Sequence, residues 1–575
     1  MLAGRATLIQ ASSSTIPSYT MQTMHLPANI CDKLDRLNRN FLWGDTPTRK
    51  KIHLVNWHTV CKNKDLGGLG LKKAKNQNLA LLTKIGWKLC NDDDSLWAST
   101  LRDKYLKHHS IQSWPSNRAA SHTWRSVLHT RDTLKKGIKW SIGDGESVDL
   151  WNDWWCGCDT LAERHPGIHT HGKTKVAGII ENGKWNLTPI DHILDNTSRE
   201  LILGIVLPLY TQASDHPTWV TANDGNYSAS EAYDFINRDS NDTTGWKWFW
   251  KLHLPQKFKT FIWLILHKKL PTNVLRAHRG ITSSDLCPRC NNSPESLSHL
   301  FRECPKAVAI WDMIPLGQVM REGIGNSISD WISTNLRKKK FLSIGTLIPW
   351  NILFCAALWQ IWKDRNKKSF DNFEPVPAVS SKVLVAYASE IVEAFKSPLA
   401  TASCSHKPFP WSPPHSGNIK LNTDGCRYES NGKAGFGGIF RNEQGEWILG
   451  FYGKMVAGSS LETEVWSIYR GLTIILEKGL ANTHIESDCQ TAIILFNEGV
   501  NVNHPQSNII NDGKYLISRT GSTLSHTYRD ANQCADHLAH LGAEQEEELI
   551  VTTIPPISIR EYMLRDTLNI RQILD

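Results

Sequence analysis

Four carboxylates in the last third of the chain, Asp424, Glu464, Asp488 and Asp536, have the chemistry for metal-assisted work on phosphate esters. Acids scattered over so long a stretch are ordinarily solvated surface groups. These four differ because each falls where a strand should end or a helix begin, and such positions can converge on one edge of a sheet. Converging carboxylates repel unless divalent cations lie between them. A cluster of this kind can hold two Mg²⁺ ions about 4 Å apart, one activating a water and the other stabilising the leaving oxygen of a phosphodiester.

The elements that must position these acids are legible between Ile419 and Ala543. Ile-Lys-Leu-Asn-Thr alternates apolar and polar residues before Asp424-Gly425, and Ala434 to Arg441 and Glu446 to Phe451 follow with turn residues between them. That pattern predicts three antiparallel strands. Ser459-Ser-Leu-Glu462 is a capping box, so the apolar run Val465 to Leu476 is expected to be a helix carrying Glu464 near its first turn. His484 to Ser487 is a short strand ending at Asp488, before a second helix. A last strand around Leu524 to Tyr528 leads into a helix from Ala531 to Leu541, on which Asn532 and Asp536 share a face at i, i+4. The expected fold is a mixed five-stranded sheet flanked by helices.

These residues bring the chain to a known family. Asn-Thr-Asp424-Gly, Glu464-Val-Trp-Ser-Ile, Glu-Ser-Asp488-Cys and Arg529-Asp-Ala-Asn532-Gln-Cys-Ala-Asp536-His-Leu-Ala resemble the type-1 ribonuclease H domain in its plant retroelement form. The resemblance implies that the four acids bind the metals and that the enzyme cuts the RNA strand of an RNA–DNA hybrid, leaving a 5′-phosphate. All four matching positions are acidic here. The departures are Thr463, where the family often has a small apolar residue, and Asp530, where it usually has Glu. Some members carry a mobile His ten residues before the last Asp. His526 has that spacing but falls in an expected strand, and it reads as a structural residue. Gln490 and Asn532, close to the metal ligands in sequence, are candidates for contact with the hybrid.

A second constellation lies upstream. Cys287-Pro-Arg-Cys290, His299 and Cys304 give Cys-x2-Cys-x8-His-x4-Cys, which can supply three thiolates and one imidazole to a tetrahedral Zn²⁺. A closed ligand set leaves no position for water and points to a structural ion. With Glu295, Ser298-His-Leu-Phe301 and Pro305 it resembles the zinc-binding domain found after reverse transcriptase in plant retroelements. Leu358-Trp-Gln-Ile-Trp-Lys-Asp-Arg-Asn366 continues that pattern as a helix. Phe41-Leu-Trp-Gly44, Lys51 to Trp57, Gly67-Gly-Leu-Gly70 and Asn78 to Leu82 look like the region just downstream of the polymerase core in plant LINE-type, non-LTR elements. The resemblance makes Met1 an internal point of a longer ancestral polyprotein. No aromatic-flanked aspartate pair is present: Asn91-Asp-Asp-Asp94 reads as a solvated helix end, so reverse transcription is not expected. The Gly67 to Gly70 cluster lacks the strand and the Lys-Ser/Thr of a phosphate loop and reads as a turn.

Composition bounds the rest. The 575 residues can form two to four domains, and the formal charge of +9 is divided unevenly. From Gly417 onward there are 13 Lys+Arg against 20 Asp+Glu; the preceding residues carry 52 against 36. Basic residues neutralise phosphates, so if nucleic acid is gripped the first 416 residues are expected to do most of it; the alternative is an ordinary basic surface. Thirteen cysteines, mostly single, do not make a disulfide framework, and no secretory signal precedes them; an intracellular location, nucleus or cytoplasm, is expected. Arg337-Lys-Lys-Lys340 suits either an import signal or a solvated face. The apolar run Gly345 to Trp362 is interrupted by Pro349, Asn351 and Gln360 and reads as a buried helix, not a membrane span. Cys156, Cys158, His165, His169 and His171 form a weaker metal candidate in a loop-like region.

The expected organisation is therefore multidomain, mostly α before an α/β ribonuclease H-like fold. It comprises a helical fragment (1–96), a Trp-rich connecting region with a hairpin at Trp140 to Trp151 (97–240), a zinc-binding domain (241–330) and a helical region (331–396). A Pro/Ser-rich linker (397–417), the ribonuclease H-like domain (418–545) and a tail with a short helix at Arg560 to Ile573 (546–575) complete it. The function expected is two-Mg²⁺ hydrolysis of RNA in an RNA–DNA hybrid, with single-stranded RNA or DNA as further partners and one structural Zn²⁺. The alternative is a catalytically silent nucleic-acid-binding or scaffold relic.

Overall fold

The computed structural model describes residues 2–91, 94–107, 111, 114–115, 119–166, 174–238, 245–314, 327–338, 341–344, 346–395, 410–430, 432–456 and 459–574. Asp92, Asp93, His169, His171, Lys339, Lys340 and most of the expected linker lie outside the described residues. The chain forms two compact units, Met1–Leu81 with Ile236–Ser403 and Leu82–Phe235 with Cys404–Asp575.

The first unit is mostly helical, as its sequence requires. Its principal helices are α1 (Ala28–Trp43), α2 (Gln256–Leu266), α3 (Asn273–His278), α4 (Trp350–Asp371) and α5 (Pro377–Ala394). From Trp350 the apolar run forms the first half of α4, buried on nearly every side to Leu358 by α2, α5 and the zinc knuckle, whereas Thr346–Pro349 is a strand paired with Phe341–Ile344 and not part of the expected helix. No helix among the described residues is long and apolar enough to cross a membrane. The Gly67–Gly70 stretch is the turn the sequence suggests. Gly67 has φ +83°, and its carbonyl accepts Trp263 Nε1 at 2.7 Å and His267 Nε2 at 2.8 Å. A Cβ at Gly67 would strike the Trp246 ring at 2.7 Å, so this position tolerates only glycine for reasons of both conformation and space.

The second unit is built on a sheet of β1 (Lys420–Arg427), β2 (Ala434–Arg441), β3 (Trp447–Met455), β4 (His484–Ser487), β5 (Thr523–His526) and β6 (Ile550–Thr552). The spatial order is β5-β4-β1-β2-β3-β6, with β4 parallel to β1 and β5 and the others antiparallel. Helices α6 (Ser460–Lys478), α7 (Gln490–Glu498), α8 (Ser507–Thr520) and α9 (Gln533–Glu544) flank it, followed by α10 (Arg560–Leu574). The sheet thus has six strands, not the five expected. The sixth comes from residues read as a tail, which pair with β3 through Ile550↔Tyr452 and Val551↔Phe451. Farther along, buried Asp566 of α10 accepts Arg441 Nη1 at 2.6 Å, and Tyr562 stacks on His537. The end of the expected linker is also part of the fold. Trp411 is buried, donates to Asn422 Oδ1 at 2.8 Å and lies under the Arg441 guanidinium at 3.6 Å.

The Trp-rich region packs with the ribonuclease H-like residues in this same unit. Buried Asp512 of α8 accepts the Leu209 and Tyr210 backbone N–H groups at 3.1 and 3.0 Å and the Tyr469 hydroxyl at 2.5 Å. Val206 and Tyr210 pack against the core of Leu421, Phe451, Tyr469 and Leu472. The hairpin expected at Trp140 to Trp151 is not formed. Ile138–Ser141 pairs instead with His216–Trp219, and the Asp144-Gly145 bend is held by Asp215, whose carboxylate accepts Gly143, Gly145 and Ser147 N–H groups at 2.8–2.9 Å. A distant carboxylate outweighs the local turn preference.

Candidate active site and metal centre

Asp424 lies in the central strand β1, opposite Gly437 of β2. Glu464 reaches it because the next residue along β1 is glycine: a Cβ on Gly425 would meet the Thr463 carbonyl carbon at 2.4 Å and the Glu464 nitrogen at 2.7 Å. The first turn of α6 therefore rests directly on the β1 backbone. That turn is fixed by Ser459, whose hydroxyl accepts the Glu462 N–H at 3.2 Å. Asp488 follows the last residue of β4, which runs parallel to β1, so its carboxylate emerges at the same sheet edge.

The oxygens of Asp424, Glu464 and Asp488 can all lie within 4.8 Å of one another. Asp536 stands outside this tight group. It is on α9, is 60% exposed and has His540 Nε2 at 3.6 Å, yet its charge still acts on Asp424. Burial, then Glu464, Asp488 and Asp536, push the Asp424 carboxyl well above the ordinary range. Burial and then Asp488 push Glu464 up to about 8. Glu464 Oε2 is buried and has no hydrogen-bond partner among the described residues. Crowded all-oxygen donors with an orphaned carboxylate oxygen fit a hard divalent cation. Arg529, fully in solvent, brings Nε to 3.3 Å from Asp488 Oδ2. The sequence signal for this cation was its place in the Arg529-Asp-Ala-Asn532 motif, which the reading of acids alone passed over.

The other candidates divide. Gln490 is the exposed first residue of α7, two residues beyond Asp488. Asn532 does not face solvent: it is 1% exposed and donates Nδ2 to the Thr423 carbonyl at 3.0 Å, which locks the start of α9 to β1. It occupies the cap before α9, with φ −111°, and its Oδ1 is buried with no hydrogen-bond partner among the described residues. His526 is the last residue of β5, paired with Ser487 and edge-on to Tyr528.

In the first unit, Cys287, Cys290, His299 and Cys304 also converge within 4.8 Å. The Cys287 and Cys304 sulfurs are 3.9 Å apart, and Cys290 Sγ lies 3.3 Å from His299 Nε2. A tetrahedral ion with Zn–S near 2.3 Å and Zn–N near 2.0 Å sets these edges at about 3.8 and about 3.5 Å, so the donor set fits Zn²⁺. The knuckle is anchored from behind by Glu295, which is buried, accepts the Asn273 N–H at 2.6 Å and pairs with Arg365 of α4. Among the described residues Cys156, Cys158 and His165 make no comparable cluster; His165 bonds to Ser198 instead.

An acid-bearing sheet in one unit and a Cys₃His knuckle in the other are the two sites the chain offers. Residues 227–311 match the family model for the zinc-binding region in reverse transcriptase, and 422–542 match the reverse transcriptase-like model. The chain is 31% identical over 585 residues to an Arabidopsis thaliana protein named "Putative ribonuclease H protein", covering 99% of this chain and 93% of that one. It is 33% identical over 141 residues to an uncharacterized mitochondrial protein of the same plant, covering 24% of this chain and 92% of the other. The solved RNase H1 of Halobacterium salinarum matches 22% of this chain and 98% of its own at 17% identity, with a TM-score of 0.21. The chain belongs to the plant LINE-type retroelement family that joins a reverse-transcriptase zinc-binding domain to a ribonuclease H-like domain.

Proposed function

We propose that the C-terminal domain is a ribonuclease H: an endonuclease that hydrolyses the RNA strand of an RNA–DNA hybrid. The reading rests on one observation above others, the convergence of Asp424, Glu464 and Asp488 on one sheet edge with a buried, unpartnered Glu464 oxygen. Two Mg²⁺ ions held by these acids and Asp536 would supply an activated water and neutralise the leaving oxygen. The chain's own contribution is to fix the ligands. Gly425 admits Glu464 to Asp424, β4 aims Asp488, and Asn532 sets the start of the helix that bears Asp536. Hydroxyls at the 2′ position would distinguish RNA from DNA. We assign Cys287, Cys290, His299 and Cys304 to one structural Zn²⁺ in the other unit.

Because Val206 and Tyr210 pack into the nuclease core, the test uses the whole chain. In Mg²⁺ it is expected to cut labelled RNA paired with DNA and to spare the DNA strand, duplex DNA and free RNA. Equal attack on all of these, or on none, would overturn the reading. The silent relic remains the rival, and its specific support is Asp536, which stands apart from the other three acids.

A further inference from the structure

The two units share the chain's charge unequally. Met1–Leu81 with Ile236–Ser403 carries 35 Lys+Arg against 17 Asp+Glu, whereas Leu82–Phe235 with Cys404–Asp575 carries 30 against 39. The unit that holds the acid cluster is net negative, so the surplus of cations that phosphates could engage lies in the first unit. Many of that unit's cations are already engaged. Lys259 donates to the Trp250 carbonyl, Lys257 lies over Tyr387, Arg337 over Trp248, and Arg289 and Arg365 pair with Glu374 and Glu295.

The stretch from Asp45 to His53 is different. Thr46 N–H donates to the Arg49 carbonyl at 2.9 Å, and Arg49 N–H to Thr46 Oγ1 at 3.0 Å. Lys51 N–H donates to Asp45 Oδ1 at 2.9 Å, and His53, stacked on Trp43, places Nε2 at 3.4 Å from the same oxygen. The one carboxylate in the loop accepts from backbone and ring, and its charge acts on Lys50 without a direct ion pair. Arg49, Lys50 and Lys51 are consecutive and exposed and form no ion pair with the described residues. From the other side Arg279 donates to the His53 and Leu54 carbonyls at 3.5 and 3.2 Å, which fixes α3, with Arg276 and His278 in its last turn, beside the same loop. A loop braced in this way presents its charges at little ordering cost.

We propose that Arg49, Lys50 and Lys51 form a docking surface for the sugar–phosphate backbone of a nucleic-acid duplex. The contact is with phosphates, so it is independent of base sequence and weakened by salt. It shares its class of partner with the proposed nuclease but not its chemistry, and its test is run on a chain that cannot cut. The full chain bearing Asp424→Asn is titrated against a fluorescent RNA–DNA hybrid, by anisotropy, over a series of KCl concentrations. Adding Arg49→Gln, Lys50→Gln and Lys51→Gln should reduce the slope of log affinity against log salt by about 2 and weaken binding at least about tenfold at low salt, since each lost phosphate contact removes about 0.7–0.9 of slope. The melting temperature should stay unchanged. A matched control, Lys367→Gln with Lys368→Gln and Lys382→Gln, removes equal charge elsewhere in the unit and should leave the slope as it was. An unchanged slope in the loop variant, an equal fall in the control, or failure of the parent chain to bind the hybrid would each overturn the proposal.

Discussion

Arg365 grips Glu295 through two bonds, Nε to Oε1 at 2.7 Å and Nη2 to Oε2 at 2.6 Å, at a point where both side chains are buried. The pair joins the zinc knuckle to α4, and Asn273 completes it by donating its N–H to Glu295 and accepting Arg365 Nη2 through Oδ1. Breaking one side leaves a buried charge without its partner, at a cost of about 3–5 kcal/mol. Glu295→Gln is therefore expected to lower the unfolding free energy by about 3 kcal/mol in urea titration. A loss under about 0.5 kcal/mol would show that the pair is not what holds the knuckle.

Metal content tests the knuckle itself. Protein purified without chelator should hold about one Zn²⁺ per chain by elemental analysis. Cys287→Ser or Cys304→Ser should bring that close to zero, because each removes a thiolate from a four-ligand set. Retention of full stoichiometry in both variants would remove these residues as ligands.

Asp424 offers a separation of stability from activity. Its carboxyl is buried against Glu464 and Asp488, with the charge of Asp536 acting from farther off, so neutralising it relieves repulsion in the metal-free protein. Asp424→Asn is expected to raise metal-free stability by about 1–2 kcal/mol in calorimetry. A fall in stability would mean that Asp424 is paired and not crowded.

The same crowding sets a pH dependence. An ordinary Glu titrates near about 4.3 when unfolded, whereas Glu464 is pushed up to about 8 by burial and Asp488. A raised carboxyl favours the folded state while protonated, and that stability is lost as pH rises through the folded value. Mg²⁺ takes the place of the proton, so its stabilising effect should grow over the same window. The rise in melting temperature on adding Mg²⁺ is expected to be larger at about pH 8.5 than at about pH 6. An equal or smaller rise would argue against Glu464 as a ligand.

Asp512 tests whether the Trp-rich region is part of the nuclease body. Its carboxylate satisfies two backbone N–H groups and the Tyr469 hydroxyl in a buried setting. Asp512→Ala should cost about 3 kcal/mol and increase protease cutting around Leu209 and Tyr210. Unaltered protease resistance would contradict the docking.

Much of this was legible in the sequence because the signals are local. Alternation before Asp424 marks β1, turn residues set off β2 and β3, Ser459-Ser-Leu-Glu462 marks the start of α6, and cysteine spacing marks the knuckle. What escaped depends on partners far away. Ile550–Thr552 is too short and follows too many acids to read as a strand until β3, about a hundred residues earlier, offers its edge. Trp411 sits in a Pro-rich stretch that composition alone calls a linker, yet Asn422 and Arg441 bury it. The i, i+4 spacing of Asn532 and Asp536 gave a shared face but no depth, and the Thr423 carbonyl draws Asn532 inward.

The most direct measurement is cleavage of an RNA–DNA hybrid by the full chain in Mg²⁺, set beside its Asp424→Asn variant. The expected result is RNA fragments bearing 5′-phosphates from the parent chain and a loss of rate of at least about 10³-fold in the variant. No cleavage by the parent, or cleavage that survives Asp424→Asn, would contradict the account.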